Sequence, residues 1–355
     1  MTSVEFHPLE VASVEALTDD AVAVTFDVPD HLADRFRYLP GQHVTVRADI
    51  EGHDVRRSYS VCANANQGKL RVGVKRLEGG AFSTWATTRL TPGQVLEVMP
   101  PVGEFTISPD PATAKHYAAI AAGSGITPVL SLISTTLESE AESRWTLVFG
   151  NRGANSIMFI DEVEGLKDRY PDRLHLIHVL SREQPDLDLF GGRIDHQKLE
   201  DLFARLVVFD SIDDWFLCGP FEMVKAARQV IEGRGVDPDR IHDELFFAGP
   251  VDPASLVPPD EIEGAVALRV TVGGRATETR MDPDMSILDA ALRVRSELPF
   301  SCKGGMCASC KARLVDGDVR MDKNYALVDS ELEAGYILTC QSHPTGESVS
   351  VDYDV

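Results

Sequence analysis

Cys302, Cys307, Cys310 and Cys340 are spaced C-x4-C-x2-C-x29-C, and this pattern constrains what the end of the chain can fold into more than any other feature. It is the ligand spacing of a plant-type 2Fe-2S cluster, in which each iron takes two cysteine sulfurs and three of the four ligands come from one tight loop. Gly304 and Gly305 lie inside that loop, where residues without a Cβ let backbone amides turn toward the sulfides. Zinc is the alternative for four cysteines. Structural zinc sites favour paired C-x2-C knuckles, however, and only Cys307 and Cys310 form one.

The flanks of the loop extend this reading. Residues 267–272 alternate toward a Gly273-Gly274 turn, as a hairpin does, and residues 286–292 follow as a short amphipathic helix with Asp282 and Asp284 near its start. Strand, strand, helix and cluster loop, in that order over residues 265–355, resemble the plant-type ferredoxin domain. The resemblance implies a β-grasp fold with the cluster near the surface, where an electron can leave.

At 355 residues the chain is long for one domain and comfortable for three. It has no run of 18 or more apolar residues, and residues 1–10 carry two acids and no hydrophobic segment, so neither a membrane span nor a secretory signal is expected and the cytoplasm is the expected compartment. Only Cys62 and Cys218 stand outside the cluster set, which suits a reducing compartment better than a disulfide framework. A formal charge of -22 repels a phosphate backbone at long range and argues against a nucleic-acid partner. Between residues 247 and 264, Pro250, Pro253, Pro258 and Pro259 are mixed with Asp252, Asp260, Glu261 and Glu263, the composition of a linker.

Upstream of it, residues 116–122 form an apolar run that leads into Gly123-Ser124-Gly125-Ile126-Thr127-Pro128 and then a helical pattern. A glycine turn opening a helix lets backbone amides approach a phosphate, with Thr127 as an expected cap and Pro128 in the first turn. By itself the motif is equally compatible with an ordinary strand–helix turn, since Thr127 and Pro128 break the three-glycine dinucleotide fingerprint. It recurs in kind. A strand over 145–149 ends in Gly150-Asn151-Arg152, another spans 174–180, and 215–217 ends in Cys218-Gly219-Pro220 before a helix over 221–231. Such repeats predict a parallel sheet with functional loops at the carboxyl ends of its strands, where Arg152 could meet a phosphate or ribose. Residues 21–26, 42–46, 70–74 and 94–98 alternate instead and are separated by Pro-Gly and Gln-Gly turns, which predicts a small antiparallel barrel. Within it lies Arg57-Ser58-Tyr59-Ser60, and Gly79-Gly80-Ala81-Phe82-Ser83 offers a second phosphate-compatible turn.

Taken in order, Arg57-Ser58-Tyr59-Ser60, residues 80–83, residues 123–128 and Cys218-Gly219-Pro220 resemble the ferredoxin-NADP reductase superfamily over residues 1–246. The resemblance implies that Arg57 holds the flavin phosphate, that Tyr59 packs on the isoalloxazine and that Ser60 bonds near flavin N5. Val74, Lys75, Gly80, Phe82 and Ser83 would line the FAD site. Gly123, Gly125, Thr127, Pro128, Arg152, Gly219 and Pro220 would bind NADPH or NADH, with Cys218 beside the nicotinamide. Tyr59, Ser60 and Cys218 are thus the expected catalytic residues, and Cys302, Cys307, Cys310 and Cys340 the expected metal ligands. FAD is expected, with FMN open.

The implied organisation is a flavin-binding antiparallel β-barrel (1–110), an α/β parallel-sheet nucleotide domain (111–246), a linker (247–264) and a β-grasp 2Fe-2S domain (265–355). Asn324-Tyr325-Ala326-Leu327, Gly335-Tyr336, Cys340-Gln341, Val351-Asp352-Tyr353-Asp354, Gly150-Asn151-Arg152 and Ser156-Ile157-Met158-Phe159 are similar to the reductase components of phenylacetyl-CoA epoxidases. Reductases of ring- and steroid-hydroxylating oxygenases are an alternative. The implied function is transfer of electrons from a nicotinamide to a separate oxygenase. Nicotinamide gives two electrons as hydride and the cluster takes one, so a flavin must stand between them. A non-catalytic redox sensor and a self-contained oxidase are the readings from other classes.

Overall fold

The structure, a computed structural model, describes residues 6–354 apart from 248–263, 296–297, 301–304, 306–307, 309 and 325. The expected linker, Cys302, Cys307, Gly304 and Tyr325 therefore lie outside the described residues. Two compact units make up the chain, one of His7–Asp54 and Tyr59–Phe247, the other of Met1–Phe6, Val55–Ser58 and Ala248–Val355.

A six-stranded sheet comes first: β1 (His7–Thr18), β2 (Ala21–Asp27), β3 (His43–Ile50), β4 (His53–Ser60), β5 (Leu70–Lys75) and β6 (Val95–Val98), in the order β4-β3-β6-β1-β2-β5. Helix α1 (Ala81–Thr88) lies between β5 and β6 in the chain. An antiparallel bridge from Val61 to Val72 ties the chain just past β4 to β5, the far edge of the sheet, and so closes it into the expected barrel. Strand β1 was not legible beforehand. Its alternation changes phase after Val11, where a bulge interrupts the pairing with β2, and no residue of the second half is fully buried.

Five parallel strands complete this unit: β7 (His116–Ala122), β8 (Arg144–Asn151), β9 (Leu174–Leu180), β10 (Asp214–Pro220) and β11 (Ile241–Phe247). Their order is β11-β10-β7-β8-β9. Helices α2 (Ile126–Ser139), α3 (Ile160–Arg169), α4 (His196–Arg205) and α5 (Phe221–Gly233) provide the crossovers. Both faces are covered, with Tyr117, Ala119 and Phe149 in one core cluster and Ala118, Ile120 and Val148 in the other. The winding starts at β7, runs outward to β9, then returns to β10 on the other side. The direction of winding therefore reverses between β7 and β10, and a crevice at their carboxyl ends is the expected ligand position in such sheets.

The expectation that Thr127 caps α2 is corrected. Gly125 is the N-cap, and Thr127 sits inside the first turn with its hydroxyl donating to the Ser124 carbonyl at 3.0 Å. The tight Gly123–Gly125 turn shifts the helix start by two residues.

The second unit contains β12 (Val266–Val272), β13 (Arg275–Met281), α6 (Ile287–Leu292), β14 (Lys311–Asp316), β15 (Val319–Met321), α7 (Asp329–Glu333), β16 (Tyr336–Leu338), β17 (Ser342–Pro344) and β18 (Ser348–Asp352). The main sheet runs β13-β12-β18-β14-β16, with β12 and β18 parallel and the other pairs antiparallel. Helix α6 buries Ile287, Leu288 and Ala291 with Leu268, Val270 and Val349 of the sheet, which is the β-grasp arrangement. Ser286 caps α6 by accepting from the Asp289 amide and donating to the Asp289 carboxylate, so this local pair rather than Asp282 or Asp284 starts the helix.

Candidate functional site

Strand β4 ends in Tyr59 and Ser60. The Ser60 side chain is nearly fully buried, and its hydroxyl donates to Glu244 Oε2 at 3.1 Å. Glu244 lies on β11 directly opposite Cys218 of β10, and its other oxygen is 3.5 Å from His43 Nδ1. Thus Ser60 and Cys218, far apart in sequence, are joined through a carboxylate that the sequence motifs did not flag. The Tyr59 and Phe82 rings lie 5.4 Å apart, tilted by 37°. Gly80 precedes α1, and a Cβ there would lie 2.5 Å from Ser83 Oγ, because the Ser83 hydroxyl accepts from the Leu77 amide and closes the turn. Val74 is buried opposite Val22, and Lys75 pairs with Asp20 at 3.3 Å. The Arg57 guanidinium donates to the Arg56 carbonyl at 2.7 Å.

At the crevice, Gly123 takes φ 55, a conformation that favours glycine. A Cβ on Gly125 would sit 2.2 Å from the Cys218 carbonyl oxygen, so the β7 turn and the end of β10 touch through bare backbone. Cys218 is fully buried, and burial, followed by the nearby Glu244 and Asp243, pushes its thiol well above the ordinary range. It is a neutral, buried thiol and not a thiolate nucleophile. Pro220 stands just before α5 and Pro128 in the first turn of α2.

Arg152 is exposed just beyond β8, and its carbonyl accepts from the Arg182 amide at 2.8 Å, so two arginines occupy adjoining strand ends. Arg152 also acts on Asp20. Burial raises that carboxyl, but the Thr18 hydroxyl, Lys75 and Arg152 outweigh it and hold the group below the usual range. Arg182 was not singled out from the sequence because it follows β9 without any glycine turn.

In the second unit, Cys310 and Cys340 are both buried. Thr339 links them: its amide and hydroxyl both donate to the Cys310 carbonyl, at 3.3 and 2.9 Å, and Cys340 is the next residue. Gly305 has φ 79, and a Cβ on it would lie 2.9 Å from the Lys323 carbonyl oxygen.

Family comparisons bear on these features directly. Residues 8–107 match an oxidoreductase FAD-binding domain, 119–229 an oxidoreductase NAD-binding domain and 270–345 a 2Fe-2S iron-sulfur cluster binding domain. The chain is 44% identical to one of the subunits of 1,2-phenylacetyl-CoA epoxidase from Escherichia coli (strain K12), over 98% of each chain. This chain belongs to the FAD- and 2Fe-2S-containing reductase components of multicomponent oxygenases. The reductase is also 32% identical to the ferredoxin reductase component of 3-ketosteroid-9-alpha-monooxygenase from Rhodococcus rhodochrous, over 97% of this chain and 96% of that one. Its fold is that of phthalate dioxygenase reductase, with a TM-score of 0.56, 22% identity and 98% of both chains covered.

The residues present fit the cofactors the reductase uses: FAD, a nicotinamide dinucleotide and a 2Fe-2S cluster. Two buried cysteines joined by one residue supply soft donors of the kind such a cluster takes. Both polar atoms of the Asn151 side chain are buried without a protein partner at the carboxyl edge of the parallel sheet, and a polar ligand or ordered water there would satisfy them. Gly73 is a further residue the sequence reading missed. A Cβ on it would lie 2.7 Å from Thr127 Cγ2 and 2.9 Å from the Phe159 ring, so this barrel strand must be bare where it meets the start of α2. Phe159 itself takes φ 59 and lies under the Arg71 guanidinium at 5.2 Å, which gives the Ser156 to Phe159 motif a packing role.

Proposed function

We propose that this reductase takes hydride from NADPH and delivers electrons one at a time to the oxygenase subunits of a 1,2-phenylacetyl-CoA epoxidase. The observation that carries the choice of acceptor is the 44% identity that runs through 98% of both chains, cluster domain included. The flavin domain is taken as 1–110, the nucleotide domain as 111–246, the linker as 247–264 and the cluster domain as 265–355. No helix among the described residues is long and apolar enough to cross a membrane, which is compatible with the cytoplasmic placement we assign.

Bound together, FAD and the cluster supply conversion of a two-electron donor into single-electron delivery. The chain supplies position. The Gly123–Gly125 turn and the start of α2 would present amides to the dinucleotide phosphates, and Cys218 would pack against the nicotinamide as a neutral thiol. Tyr59 would cover the flavin ring, while Arg57, Gly80, Phe82 and Ser83 would hold its phosphate side. Ser60 would place its hydroxyl near N5, with Glu244 and His43 fixing the orientation of that hydroxyl. Hydride transfer needs no general base, so none of these groups has to change charge in that step. Cys302, Cys307, Cys310 and Cys340 hold the cluster.

Reconstitution tests the acceptor. The purified reductase is combined with phenylacetyl-CoA epoxidase oxygenase subunits or, separately, with 3-ketosteroid-9-alpha-monooxygenase oxygenase, and NADPH consumption is compared with product formed. Coupled turnover with the first and not the second supports the proposal; the reverse overturns it.

A further inference from the structure

The last residues of the chain are tied to the segment that carries Cys310 and Cys340. Thr339 has one hydroxyl proton, and it is directed at the Cys310 carbonyl at 2.9 Å. The Tyr353 hydroxyl lies 2.7 Å from the same Thr339 oxygen, so Tyr353 must be the donor in that contact. A one-way chain results: Tyr353 O–H to Thr339 O–H to the Cys310 carbonyl. Thr339 is fully buried, and its own carbonyl accepts from the Leu288 amide in α6 at 2.9 Å.

The tail that carries Tyr353 is itself held at two points. The Tyr353 amide donates to the Thr271 carbonyl at 2.9 Å. The Asp354 carboxylate accepts from the Gly273 amide at 2.6 Å and the Gly274 amide at 2.7 Å, at the tip of the β12–β13 hairpin. Nothing in this arrangement is needed to form the sheet, because β18 already ends at Asp352. What it fixes is the Cys310 peptide, whose carbonyl accepts from both the amide and the hydroxyl of Thr339.

We propose that Tyr353 is a positioning residue for the iron–sulfur cluster, acting through Thr339 on the Cys310 peptide, with Asp354 anchoring the tail. The proposal rests on cluster ligation by Cys310 and Cys340. Linked donors polarise one another, and donors that draw electron density from a ligand's own peptide favour the more negative, reduced form of a cluster held there. Loss of the Tyr353 hydroxyl therefore shifts the midpoint potential downward and loosens the hold on the ligand pair.

The test uses the full-length holoprotein and its Tyr353→Phe, Thr339→Val and Thr339→Ser variants. Three properties are read: the cluster midpoint potential, the low-temperature EPR g-values of the reduced cluster, and the rate of bleaching by an iron chelator. Far-ultraviolet circular dichroism confirms folding. Tyr353→Phe is expected to bleach about three- to tenfold faster, the rate equivalent of about one net hydrogen bond, with a lower potential and altered g-values. Thr339→Val should reproduce these changes, Thr339→Ser should retain wild-type values, and the double variant of Tyr353→Phe with Thr339→Val should be no worse than Thr339→Val alone. Unchanged potential, g-values and bleaching in Tyr353→Phe overturn the proposal. A wild-type protein without a 2Fe-2S spectrum would instead overturn the ligation on which it rests, a separate outcome.

Discussion

Single residues at the crevice have little room to change. Gly125 packs against the Cys218 and Gly219 backbone, and the added methyl of Gly125→Ala must displace main chain rather than a flexible side chain. A cost of about 1–3 kcal/mol is expected, together with weaker NADP+ binding, checked by thermal melting and calorimetric titration. Preserved affinity would show that the turn does not shape the dinucleotide site. Ser60→Ala should retain FAD, because the hydroxyl is directed at Glu244 and is not needed to build the barrel. It should slow flavin reduction by NADPH about tenfold, less than the loss of an oxyanion donor, since hydride transfer develops less charge. Stopped-flow bleaching isolates that step. An unchanged rate with weakened flavin binding would make Ser60 an anchor only.

At the level of elements, the ends of β8 and β9 place Arg152 and Arg182 side by side, and the Arg152 charge helps hold the Asp20 carboxyl below its usual range. A charge-assisted contact to a 2′-phosphate is worth about 1.5–3 kcal/mol. Arg152→Ala should raise KM for NADPH about tenfold and leave NADH little affected, and adding Arg182→Ala should raise it further. Equal effects on both coenzymes would show that these strand ends do not read the phosphate.

The other end of the sheet holds a buried histidine. His116 at the start of β7 is held between the Ser211 and Thr146 hydroxyls, and burial, aided by Arg144, pushes its pKa down from 6.5 to about 4. The folded state keeps the ring neutral while the unfolded chain takes a proton below 6.5. Stability from this group is thus present above 6.5 and is lost as pH falls toward about 4, by about 3 kcal/mol at most. His116→Gln should flatten the fall in melting temperature between those pH values relative to the wild type.

For the whole molecule, the cluster-bearing residues belong to a different compact unit from Ser60 and Cys218. Cys307→Ser should abolish the iron–sulfur absorbance and electron delivery to the oxygenase while NADPH still bleaches the flavin. Loss of both activities together would show that the two units do not fold independently.

Local chemistry explains what could be read in advance. Cysteine spacing, the glycine turns and the apolar runs of β7 to β10 act over a few neighbouring residues, so the presence of a 2Fe-2S domain, the order of domains and the turns at the strand ends were legible. The bulged β1, whose alternation changes phase after Val11, and the edge strand β11, with its mixed polar and apolar residues, carry no such local signal. Glu244 became visible only when β11 paired with β10 and set its carboxylate opposite Cys218, 26 positions earlier in the chain, and within reach of Ser60. Gly73 needed the approach of α2, and Tyr353 needed the β12–β13 hairpin and Thr339. These are contacts between segments distant in sequence, and burial and strand pairing, which create them, are decided by the tertiary fold alone.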